Sequence, residues 1–141
     1  NGKEVFEQVY GDENFAFIAG NTKFVCMNTN ALEYDYSHPV PDFDFISREA
    51  ADSARYSKTV AVMHVKPYDD QFNNNVARLF HAEIKKFPSL QFALHAHNHK
   101  LQPTDVFKDG IIYYGCASMK QRNYMVFTLT TNGYSYEVVN Y

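Results

Sequence analysis

Apolar and polar positions fall into short blocks along this chain, and the blocks predict an alternating order of elements. Residues 14–19 and 23–28, carrying Phe15, Phe17, Ile18 and Phe24, Val25, Met27, are two apolar runs joined at Gly20-Asn21. That arrangement predicts a β-hairpin. Residues 29–43 are polar and contain His38-Pro39 and Val40-Pro41, which predicts a surface loop. From 44 to 56, Ile46, Ala50 and Ala54 recur at helical spacing, so a helix is expected with Asp44 or Ser47 as its cap.

Thr59, Val60, Ala61, Val62 and Met63 form an unbroken apolar run, the pattern of a strand covered on both faces, and it delivers His64 at its C-terminal end. Val76, Leu79, Phe80, Ile84 and Phe87 then lie on one stripe of a second helix over about 75–87, which Pro88 stops. Residues 90–94 repeat the buried-strand pattern and deliver His95, His97 and His99. After Pro103 the pattern turns antiparallel. Residues 105–107 and 111–114 flank Lys108-Asp109-Gly110, and 124–130 pairs with 134–139 across Thr131-Asn132-Gly133. The opening Asn1-Gly2-Lys3 carries no cap, leader or first strand.

Composition narrows the class. With 141 residues, 45% hydrophobic and 16% aromatic, the chain has the length of one domain and too much apolar surface for a disordered tail. No apolar run approaches the roughly 18 residues of a membrane span, so a soluble chain is expected. A net charge of −3 excludes nucleic acid as a strongly attracted partner, though not as a substrate. Cys26 and Cys116 sit in apolar surroundings and read as structural thiols without a disulfide. Reduced thiols lean toward the cytoplasm, and the compartment otherwise stays open.

The histidines change the picture more than any total. Three of the six lie within five residues, as His95, His97 and His99. In a β-α-β unit the C-terminal ends of parallel strands share one edge, where open α/β sheets place their ligands, so His64 is expected to face His97 and His99. Residues two apart in an extended segment point the same way, which would let His97 and His99 reach one site. Converging imidazoles suit zinc, manganese, iron or nickel and argue against calcium or magnesium. His95 is either a supporting donor or a substitute ligand. His38 and His81 are expected on the surface, outside the site. Lys66 could approach a phosphate as a point charge, but a solvated lysine is the simpler reading. Asn98 is expected to fix the loop backbone, and Tyr113, Tyr114, Tyr124 and Phe127 to pack the sheets.

The strand ending in His64 before Pro67, then a helix, then Ala96-His97-Asn98-His99, then β-hairpins, resembles the last two motifs of the calcineurin-like metallophosphoesterases. Ala96 stands where that family has a glycine. The resemblance implies an α/β fold, the C-terminal half of a two-sheet β-sandwich flanked by helices, spanning residues 1–141. It implies His64, His97 and His99 as metal ligands, with His64 and His97 on one ion and His99 on the other. Two divalent ions ~3.5–4 Å apart would clamp a phosphate mono- or diester and activate water. The family's earlier motifs, Asp-x-His, Gly-Asp and Gly-Asn-His, belong to an N-terminal half that this chain lacks. Gly11-Asp12 and Gly20-Asn21 read as turns. The complete protein is therefore expected to be a phosphoric ester hydrolase, and this segment alone to be inactive and self-associating. A non-catalytic scaffold on the same fold is the alternative. An unrelated zinc hydrolase is weaker, because His-Glu-x-x-His is absent.

Overall fold

The computed structural model describes residues 2–33 and 39–141. Along the chain run α1 (Gly2–Tyr10), β1 (Phe15–Ala19), β2 (Thr22–Met27), α2 (Phe43–Ala51), β3 (Lys58–Met63), α3 (Ala77–Ile84), β4 (Leu90–His95), β5 (Gln102–Thr104), β6 (Tyr113–Gly115), β7 (Asn123–Thr130) and β8 (Gly133–Asn140). The molecule is mixed α/β. Six strands form one sheet in the order β1-β2-β3-β4-β6-β5, and β7 with β8 forms a separate two-stranded ribbon.

Parallel pairing joins β2 to β3, β3 to β4 and β4 to β6, while β1 and β5 close the edges antiparallel. The apolar runs occupy the middle because a parallel strand is covered on both faces. On one face Val25, Met27, Ala61, Met63, Ala93 and Tyr113 pack against α2 and α3 through Phe45, Ile46, Phe80 and Ile84. On the other, Val60, Phe92 and Tyr114 pack against Met125, Phe127, Leu129 and Tyr134 of the ribbon. The layers are therefore helices, sheet and ribbon, and no described helix is long and apolar enough to cross a membrane.

Several expectations shift in detail. The β1–β2 hairpin turns at Gly20-Asn21 with Ala19 opposite Thr22, as expected. The ribbon also follows its sequence signal, with Thr130 opposite Gly133. Neither predicted cap of α2 is used: Asp42 is the N-cap and accepts the Phe45 N–H at 2.9 Å. The helix accordingly starts at Phe43 and ends at Ala51, short of 56. The predicted hairpin over 105–114 is absent. Asp105 accepts the backbone N–H groups of Asp109 and Gly110, which closes 105–110 as a loop and moves the strands to β5 and β6. Gly2–Tyr10, for which no element was predicted, form α1. His38, read as a surface residue, lies outside the described residues.

Candidate functional site

Register brings the strand-end histidines together. β3 and β4 run parallel with Val62 opposite Leu94, so the two chains leave the sheet at one level. His64 follows the end of β3, and its carbonyl accepts the Ala96 N–H at 3.0 Å, tying the two exits to each other. The His64 and His97 rings then lie 5.5 Å apart, centroid to centroid, and nearly perpendicular at 78°. Next to them, the Thr29 hydroxyl donates to the Val65 carbonyl at 2.7 Å and accepts the Val65 N–H at 3.1 Å. The chain after β2 is thereby stitched to the same edge.

The segment beyond β4 is not extended. His97 and His99 both have left-handed backbones, with φ of 61° and 53°. The Asn98 N–H closes onto the Ala96 carbonyl at 2.7 Å, so the chain turns twice within four residues. Strand alternation therefore does not govern which way His97 and His99 point, and a turn replaces the extended segment expected there. His99 is exposed, and its carbonyl accepts from the Gln121 side chain.

A turn that the sequence reading passed over holds this loop. Pro67, Tyr68, Asp69 and Asp70 follow His64, and the two carboxylates divide their work. Asp69 pairs with the Lys66 ammonium at 2.5 Å and accepts from the Asn98 amide at 2.9 Å. Lys66 is thus engaged and largely buried, at 14% side-chain exposure, which corrects the expectation of a solvated lysine. Asp70 accepts the His97 Nε2–H at 2.9 Å, and this hydrogen bond holds its carboxyl below the usual range. Tyr68 at the turn adopts φ of 70°, with its N–H held by the Asn74 side chain at 2.8 Å. The available signal was a pair of acids a few residues past a strand-terminal histidine.

His95 is the last residue of β4. It is buried at the end of β4, its Nδ1–H donates to the Ala96 carbonyl at 3.2 Å, and its Nε2 has no partner. Burial pushes its pKa down, favouring the uncharged ring. The ring lies against Gly115 of β6. A Cβ there would come within 2.7 Å of the Lys100 carbonyl and 3.2 Å of His95 Nε2. The close approach of β4 and β6 beneath the histidine loop therefore needs a glycine at this position.

His81 is the clearest correction. The residue read as a surface bystander is buried on α3, its ring stacked on Phe107 at 3.9 Å. Its Nε2–H donates to Asp109 at 2.9 Å, and its Nδ1 accepts the Tyr113 hydroxyl at 2.9 Å. Lys85 also binds Asp109, and that ammonium holds the carboxyl well below its ordinary range. Burial drives the Tyr113 phenol up. This chain of contacts fastens the 105–110 loop to α3, and Phe107 also meets the Tyr68 ring at 5.6 Å.

Two imidazoles paired edge to face, one of them backed by a carboxylate, fit the donor chemistry of a transition-metal site. The set is incomplete on this chain: among the described residues, no group of three or more His, Cys, Asp or Glu side chains converges on one point. Compared with known proteins, the chain matches no protein-family model and no curated protein.

Proposed function

We propose that this chain supplies the C-terminal histidine ligands of a two-metal, calcineurin-like phosphoesterase site in a protein that hydrolyses phosphate mono- or diesters. The observation that carries this reading is the meeting of His64 and His97 at 5.5 Å, at the ends of adjacent parallel strands. Open α/β sheets bind their ligands at that edge. The order of elements from the β1–β2 hairpin to β8 supports the resemblance drawn from the sequence.

Bound divalent ions such as manganese, iron, zinc or nickel would neutralise phosphate oxygens and lower the pKa of water near neutrality. His64 and His97 would hold one ion and His99 the other, each through a neutral ring nitrogen. Asp69, by gripping Asn98, keeps the turn between the last two histidines in place. Lys66 is committed to Asp69, so phosphate binding would fall to the bound ions rather than to this ammonium. The carboxylate ligands, and the histidine that assists the leaving group, would come from the N-terminal half of the domain.

Packing also favours a missing half. The ribbon covers Val60, Phe92 and Tyr114 of β3, β4 and β6, yet Phe15 and Phe17 on β1 remain 46% and 49% exposed beside a stacked Phe24. A wider second sheet would cover them and complete a two-sheet sandwich. The test uses the complete protein. Loaded with two divalent ions, it is expected to hydrolyse a chromogenic phosphate ester, and His97→Ala to abolish turnover. Undiminished turnover in that variant would overturn the assignment and leave the non-catalytic scaffold.

A further inference from the structure

His97 has two ring nitrogens, and a metal can take only one that carries a lone pair. A carboxylate accepts hydrogen bonds and donates none, so the 2.9 Å contact from Nε2 to Asp70 places the proton on Nε2. That leaves the lone pair on Nδ1. We infer that Asp70 is a positioning residue which fixes the His97 tautomer and orientation, so that a metal ion meets this histidine through Nδ1. The inference rests on the metal-binding reading above and specifies the geometry of that site.

Asp70 is 79% exposed, so the pair adds little to stability and its effect lies in orientation. What makes orientation effective is the rigidity of the turn beneath it. The Asp69 N–H donates to the Lys66 carbonyl at 3.2 Å, and the Asp69 carbonyl receives the Asn74 amide at 3.0 Å and the Phe72 N–H at 3.3 Å. The left-handed Tyr68 is held between these contacts. A non-glycine residue keeps such a conformation only where its surroundings over-determine it. The same turn grips Asn98 through Asp69, so carboxylate and imidazole are placed by one piece of backbone. A carboxylate behind a ligating histidine sets its tautomer and raises its basicity, and losing one typically weakens metal binding about 10–100-fold.

The test is long-range 1H–15N correlation NMR on the complete protein carrying 15N-labelled histidine, which reads the tautomer of each histidine, combined with zinc titration. The expected result is an Nε2-protonated His97 without metal and a zinc-dependent shift of its Nδ1 resonance. Asp70→Ala is expected to mix the tautomers and weaken zinc binding about 10–100-fold, with Asp70→Asn recovering part of the loss. A His97 protonated on Nδ1, zinc bound at Nε2, or an unchanged zinc affinity in Asp70→Ala overturns the inference while leaving the metal site standing. No zinc-dependent change at His64, His97 or His99 overturns the metal site itself, and this inference with it.

Discussion

His81 illustrates how one residue's environment decides its role. Its Nε2–H donates to the Asp109 carboxylate and its Nδ1 accepts the Tyr113 hydroxyl, so both nitrogens and that buried hydroxyl are satisfied together. His81→Phe keeps the stacking on Phe107 but strands that hydroxyl, and is expected to cost about 1–3 kcal/mol in urea unfolding. Adding Tyr113→Phe removes both partners, so the double variant should be no less stable than the single one. Additive losses would contradict the pairing. The sequence could not announce this arrangement. His81 lies on a helix, 32 residues from Tyr113 and 28 from Asp109, and nothing in helical periodicity ranks a histidine for burial. His64 and His97 were legible because strand ends converge by topology, which a run of apolar residues does reveal.

Among the elements, the central strands could be read from their unbroken apolar runs, and both two-stranded turns from Gly20-Asn21 and Asn132-Gly133. The edge of the sheet could not. Asp105 spends its carboxylate on the loop's own backbone, and Phe107 turns to His81 and Tyr113 instead of a cross-strand partner. The residues that alternated as a hairpin were therefore drawn elsewhere by side-chain contacts. The histidine loop escaped for a similar reason: two left-handed residues, braced by Asp69 and Gln121, replaced an extended strand. The start of α2 was missed because Asp42, Asp44 and Ser47 all offer a capping oxygen. Asp42 is the one that does, and Asp42→Ala is expected to lower stability by about 0.5–2 kcal/mol. The comparison variant Asp44→Ala, at an exposed position in the first turn, should change it by less. The reverse order in denaturant unfolding would contradict the assigned cap.

At the scale of the molecule, apolar surface is distributed unevenly. The sheet is buried under α2 and α3 on one face and only in part under the ribbon on the other. Phe15 and Phe17 on the open part, and Val5, Phe6, Val9 and Tyr10 on α1, are exposed. The stacked Phe15, Phe17 and Phe24 rings make an apolar patch on the sheet, and exposed apolar surface promotes association. The 141-residue chain alone is expected to give a dimeric or larger mass by light scattering, and Phe15→Ser with Phe17→Ser to shift it toward monomer. A strictly monomeric wild-type chain would count against the half-domain reading. The proposed site makes the same demand for a missing half, since the carboxylate ligands must come from elsewhere. The most direct measurement is anomalous X-ray scattering from crystals of the complete protein grown with manganese. Two manganese peaks about 3.5–4 Å apart are predicted, one within coordination reach of His64 and His97 and the other beside His99. Manganese bound elsewhere, or none at these three rings, would contradict the account.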